Sequence, residues 1–195
     1  KILLSLLFLI CINNTSYALI EVDITRGNLN PLPIAVSPLF SDRETNDELE
    51  KKLKIENLGK NISEVVENNL KATGLFNPLD KKAFLQKPDI AHLKPRFEDW
   101  SLIKSQALIT GQVKYGEGKL RVEFRLWDVL AAKEMMALAF TTVPDNWRRI
   151  GHIISDKIYE RLTGEKGYFD TRIIYVAEEG PKTKRIKRLA IMDQD

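Results

Sequence analysis

The 195-residue sequence has one cysteine, Cys11, and it lies inside an apolar leader. No disulfide framework is therefore available, and stability has to come from packing. Only two histidines are present, His92 and His152. Neither has a His, Cys or carboxylate partner at a recognisable metal-ligand spacing. The charge is not one-sided: 30 Lys and Arg face 27 Asp and Glu, a formal net of +3. That balance argues against nucleic-acid binding by the whole domain. No apolar run reaches the roughly 20 residues that a membrane-spanning helix needs. There is no Gly-rich phosphate loop and no nucleophile elbow. Thr163-Gly164-Glu165-Lys166-Gly167 follows a helix pattern instead of opening one, which is the wrong context for a phosphate site. Ser37 and Ser155 have no readable base partner. We expect no catalytic residue, no metal and no cofactor.

Ile2 to Ile12 is apolar except for Ser5 and is preceded by Lys1. Ser16-Tyr17-Ala18 places small residues at −3 and −1 of a cut after Ala18. Residues 1–18 read as a secretory signal peptide. Ile10 before Cys11 is too large for lipoprotein processing.

Leu19 to Thr25 alternates, with Ile20, Val22 and Ile24 on one side and Glu21, Asp23 and Thr25 on the other. The period of two predicts a half-buried strand. Arg26 to Pro33 is turn chemistry, and Ile34 to Phe40 is a second strand that Pro38 forces toward an edge. Ser41 to Glu56 is charged and reads as an exposed loop with a helical turn at most. Asn61 to Thr73 is a helix with a capping box of Asn61 and Glu64, ended by Gly74. Leu75 to Leu79 is a short strand or buried connection, and Phe84 to Asp99 a loop with short helices.

Three alternating runs follow, 107–115, 120–127 and 135–140, with a tight turn at Gly116-Glu117-Gly118. They predict an antiparallel meander with one apolar face. Trp147, Ile150, Ile154, Ile158 and Leu162 then recur at helical spacing, with Asp145 as the expected cap and Gly164 as the stop. The fold class is α/β: a two-layer sandwich of a mixed sheet with covering helices. Arg172 to Glu178 and Arg185 to Asp193 read as two further strands. The basic run Lys182, Lys184, Arg185, Lys187, Arg188 reads as the solvated face of that hairpin. Met135 and Met136 read as core and rim of a strand.

The junction LTGEKGYFDTRIIYV, the later RLAIMDQD, the strand IAVSPLF and the segment Arg96-Phe97-Glu98-Asp99-Trp100 together resemble the TolB family of the Tol-Pal envelope system. The resemblance implies a domain order: signal peptide at 1–18, TolB-like N-terminal domain at 19–164, and at 165–195 the junction and an incomplete first blade of a β-propeller. Asp193 and Asp195 correspond to the acidic turn of that blade. It implies a periplasmic binding module and not an enzyme. Its partners are a TolA-like inner-membrane protein, taken by the mature N-terminus, and a Pal-like outer-membrane lipoprotein, taken by the propeller. The partner-binding residues it implies are Leu19, Ile20, Glu21, Val22, Asp23, Ile24, Thr25 and Arg26. No nucleic acid, no small-molecule substrate and no cofactor is implied. Outer-membrane integrity and constriction during cell division are the expected roles. Two alternatives stay open: a secreted hydrolase with its active site in an absent C-terminal propeller, and a nucleic-acid-binding α/β module, against which the leader argues. The arm 19–25 itself has two readings, a permanent strand of the sandwich or a segment that leaves to join a partner's sheet.

Overall fold

The computed structural model describes residues 20–22 and 30–193. The leader, Leu19, Asp23 to Arg26 of the arm, and Asp195 lie outside the described residues.

A five-stranded mixed sheet carries the fold, in the order β2-β1-β3-β4-β5. Its strands are β1 (Leu32–Val36), β2 (Phe76–Pro78), β3 (Ala107–Gly116), β4 (Lys119–Asp128) and β5 (Lys133–Thr142). β1 runs parallel to both β2 and β3, and β3, β4 and β5 form the expected antiparallel meander. Glu117 and Gly118 both have positive φ, 51° and 75°, so a two-residue turn joins β3 to β4 with Gly116 opposite Lys119. That backbone matches the twist of the strands it connects.

Four helices accompany the sheet before a longer fifth: α1 (Arg43–Leu53), α2 (Leu58–Ala72), and the short α3 (Pro88–Ala91) and α4 (Phe97–Leu102). α5 spans Trp147–Thr163. One face of the sheet, with Ile34, Val36, Ile109, Val113, Val122, Phe124 and Leu126, packs on Ile62, Val66 and Leu70 of α2 and Ile150, Ile154, Ile158 and Leu162 of α5. Period two on the strands and period 3.6 on the helices put these residues face to face. α2 and α5 approach closely at Gly151, where a Cβ would stand 2.8 Å from Val65 Cγ1. The opposite face is not bare. Ala35, Leu108 and Val129 meet Ala91 and Trp100, with Phe84, Ile103 and Trp127 packed against them. Gln86 Oε1 accepts from both Trp100 Nε1 (3.1 Å) and the Arg96 amide (2.9 Å), which holds this small second core together.

The structure differs from the sequence reading at several points. The charged 41–56 segment contains a full helix, α1. Thr45, Leu49 and Leu53 recur every four residues and turn inward, and Asp42 caps the helix by accepting the Thr45 amide at 2.7 Å. α2 starts three residues before Asn61, capped by Asn57, whose Oδ1 accepts the Lys60 amide at 3.0 Å. Asn61 instead donates to the Glu56 carbonyl. Leu58 is fully buried, so burial draws the helix back to it. β1 ends at Val36, but Phe40 rejoins β3 as an isolated bridge to Gln112. Pro38 occupies the break, where no donor is needed. Asp145 lies in a single 3-10 turn, Pro144–Asn146, and does not cap α5. Gly164 does end α5, at φ 76°. A register shift pairs Leu126 with Met136 but Trp127 with Glu134. This bulge lets both Met135 and Met136 reach the main core. Finally, Ile20, Glu21 and Val22 form no strand.

Beyond α5, β6 (Arg172–Glu179) and β7 (Ile186–Asp193) make a separate two-stranded antiparallel sheet.

Candidate functional site

The described part of the arm sits against the end of α5 and the β4–β5 turn. The last turn of a helix has carbonyls without intrahelical donors. Leu162 O is one of them, and it accepts the Val22 amide at 2.7 Å. The Val22 side chain is buried in the main core and Ile20 packs beside it. The Ile20 amide donates to Asp128 Oδ2 at 3.3 Å. Glu21 points outward and forms one wall of an open groove of about 470 Å3, with Met136 and Leu138 of β5, Lys157, Glu160 and Arg161 of α5, and Gly164 just past its end. Lys157 pairs with Glu160 at 2.9 Å, so the groove rim is close to neutral. Of the predicted partner-binding residues, Ile20, Glu21 and Val22 are therefore brought together at one place.

The same helix fixes the segment that leads to β6. Asp156 accepts the amides of Phe169 (2.6 Å) and Asp170 (3.1 Å). Phe169 is buried and meets Tyr159 and Tyr168 edge-on and stacked, respectively. Burial, with the Tyr159 hydroxyl nearby, pushes the Tyr168 phenol above its ordinary range. Arg149 grips Asp170 in a two-pronged pair, Nε to Oδ1 at 3.0 Å and Nη2 to Oδ2 at 3.1 Å. That hydrogen-bonded carboxylate raises the guanidinium's already high pKa. Gly167 passes so close to α5 that a Cβ would lie 2.4 Å from Asp156 Cα.

The other residues singled out in the sequence take structural positions. His92 is buried, stacks on Phe40 at 4.4 Å, and its Nδ1 lies 2.9 Å from the Pro88 carbonyl. His152 Nδ1 lies 3.0 Å from Asn69 Nδ2, which also donates to Ser155 Oγ, so these three side chains tie α2 to α5. No cluster of three ligating side chains that could hold a metal occurs among the described residues. The basic run flanks the β6–β7 turn. Arg185 and Lys187 both pair with Glu178, whose carboxyl they hold below its usual range, and Arg188 faces Glu179 at 3.8 Å. No helix among the described residues is long and apolar enough to cross a membrane.

Sequence reasoning missed the acceptors that hold the arm and the junction. Asp128 is 108 positions from Ile20, and no local pattern marks such a pair. Asp156 is one polar residue on a helix with many.

Comparison with known proteins gives a consistent picture. Residues 20–135 match the family described as the TolB amino-terminal domain. The chain is 77% identical over 180 residues to the Tol-Pal system protein TolB of Pelagibacter ubique, which covers 92% of this chain and 40% of that protein. The chain thus spans about two fifths of the length of that relative. The crystal structure of TolB from Acinetobacter baumannii superposes with a TM-score of 0.63 at 23% identity, covering 84% of this chain and 37% of that one. At that identity the likeness shows the fold alone.

Proposed function

The chain belongs to the TolB family, and from that premise we propose that it is the amino-terminal part of a periplasmic protein-interaction component of the Tol-Pal system. In this reading residues 1–18 are a cleaved leader and residues 19–164 are the interaction domain. Residues 165–195 begin a β-propeller. The whole protein links a TolA-like inner-membrane protein to a Pal-like outer-membrane lipoprotein, supporting outer-membrane integrity and constriction during division. It acts by binding and not by catalysis. Leu19 to Arg26 form the element that recruits the inner-membrane partner.

The observation that carries this reading is how the arm is held. Its described residues stand outside the sheet, attached by two amide hydrogen bonds and by the side chains of Ile20 and Val22. Burying an aliphatic side chain contributes about 1.5–3 kcal/mol at most, and a net amide hydrogen bond about 0.5–1.5 kcal/mol. Ordering the three residues costs about 1–2 kcal/mol each, so the net of a few kcal/mol favours docking yet lets a partner reverse it. A permanent strand of the sandwich would be tied by a ladder, and no ladder is present at Ile20 to Val22. An extended segment of this kind can complete a partner's sheet through its main chain.

The test is deletion of Leu19 to Thr25, followed by titration with the inner-membrane partner and by circular dichroism. Binding is lost while the meander and helices stay folded. Undiminished binding would refute the arm as the recruiting element.

A further inference from the structure

Asp128 closes β4 and is 1% exposed. Its Oδ1 accepts the Ala131 amide at 2.8 Å and so shapes the turn into β5. Its Oδ2 accepts the Ile20 amide. Among the described residues it pairs with no cation, and Lys133, its partner in the strand register, is exposed. A buried carboxylate without a counter-charge is costly unless N–H groups satisfy it. One of its two donors belongs to the arm. When the arm is docked the carboxylate is satisfied on both oxygens; when it leaves, one oxygen loses its donor.

The other acceptor is placed to match. In an extended chain the amides of residues i and i+2 point the same way, and so do their side chains. Ile20 and Val22 have that spacing. Asp128 Oδ2 receives the first amide and Leu162 O the second, while the core takes Val22 and Ile20 packs against it. Glu21 between them faces out. We propose that Asp128 is the positioning residue of a docking seat for an extended tripeptide with apolar first and third side chains. The seat's natural occupant is Ile20-Glu21-Val22 of the same chain. Because both acceptors engage main-chain amides, the seat reads the spacing of the apolar side chains and not the identity of the middle residue. Any effect of the seat on partner capture rests on the function proposed above; the seat itself does not.

The experiment measures amide exchange in the full chain. In Asp128→Ala, exchange at Val22 and Ile20 rises about tenfold, the worth of one charge-assisted hydrogen bond. Protection in β4 and the body of α5 is retained. Asp128→Asn keeps an acceptor oxygen and gives a smaller rise. Ile20→Pro removes the donor, together with the packing of the Ile20 side chain, and leaves the Asp128 to Ala131 bond untouched, so it decides the matter if Asp128→Ala fails to fold. Its Val22 exchange rises to a similar degree. Asp128→Ala combined with Ile20→Pro exchanges no faster at Val22 than the faster single variant, since the bond through which Asp128 acts on the arm is already absent from each. Unchanged Val22 exchange in folded Ile20→Pro, or fully additive effects in the double variant, overturns the proposal. A synthetic peptide of residues 19–26 added in excess also raises Val22 exchange by competing for the seat. Affinity for the inner-membrane partner rises several-fold in Asp128→Ala, because the binding-competent open state is more populated. Faster exchange with unchanged affinity upholds the seat and counts against the arm as the recruiting element.

Discussion

Gly167 and Gly164 lie three residues apart on the segment leaving α5, and they separate two reasons for a glycine. Gly164 has φ 76° with nothing within 4 Å of where a Cβ would stand. Gly164→Ala therefore meets only the cost of a left-handed backbone, about 1–2 kcal/mol. Gly167 is limited by space. An added methyl would lie 2.4 Å from Asp156 Cα, 2.5 Å from its Oδ1 and 2.6 Å from its Cβ. The nearest of these atoms is helix backbone, which cannot rotate away. The segment can be forced off the helix by about 1 Å, the shortfall between 2.4 Å and ordinary van der Waals contact, at about 1–3 kcal/mol or more for overpacking. Otherwise it undocks and forfeits the burial of Phe169, itself about 1.5–3 kcal/mol, with the two amide bonds to Asp156. The cheaper route sets the loss in Gly167→Ala, at about 2 kcal/mol or more, and both routes act on the same amides. Amide exchange at Phe169 and Asp170 is the assay, with thermal unfolding alongside. We expect Gly167→Ala to lose protection at these two amides by at least tenfold. Gly164→Ala should lower stability while leaving their protection relative to α5 unchanged. Wild-type protection of Phe169 and Asp170 in Gly167→Ala would refute the claim that close approach to Asp156 anchors the junction.

Two further expectations concern the domain itself. Asn57 combines a capping side chain with φ 45°, so Asn57→Ala loses a cap worth about 0.5–2 kcal/mol and adds left-handed strain, whereas Asn57→Gly relieves the strain and costs only a few tenths; denaturant unfolding should rank wild type, Gly, Ala in falling order. Glu123 is held below its usual carboxyl range by hydrogen bonds from Arg121 and Gln112, so its contribution is present above the unfolded pKa and is lost as pH falls through the lower folded one; Glu123→Gln should leave a shallower acid limb in stability against pH, read by unfolding at pH 3 to 6.

Much of this fold was legible because apolar period and turn chemistry agree. α5 shows Ile150, Ile154, Ile158 and Leu162 at helical spacing with Gly164 after them, and all four are buried. The meander alternates, and Gly118 marks its first turn. α1 was hidden because its inward stripe is only Thr45, Leu49 and Leu53 amid eight charged or amide residues, so its burial is decided by tertiary contact with the core. The second core was read as loop because Phe84, Ala91 and Trp100 follow no single period; they converge through turns held by Gln86. Of the arm, read as a strand over 19–25, the described residues Ile20 to Val22 are apolar at alternate positions but form no strand. Alternation reports which side chains are buried, and Val22 is buried; it does not report where the amides go. Val22 donates to Leu162, 140 positions on, so a helix end takes the place of a sheet neighbour.

The same helix explains why the β6–β7 hairpin is informative even though little covers it. Ile174, Val176, Leu189 and Ile191 are 68%, 55%, 80% and 62% exposed, and Ile173 and Tyr175 on the alternate face are 45% and 43% exposed. A two-stranded hairpin is marginal in water, and a strand apolar on both faces is built to be covered on both. Ion pairs at its ends, Arg172 with Asp193 and Arg188 with Glu179, hold the register but shield none of this surface. Such a hairpin fits a blade awaiting neighbours, as the proposed propeller requires. Its first strand does not begin on a free linker. Phe169 and Asp170, immediately before it, are pinned to Asp156, and Asp170 is gripped by Arg149. Leu162, on the same helix, holds the arm. A load that pulls the start of β6 away from α5 therefore acts on the helix whose final turn supplies one of the arm's two acceptors.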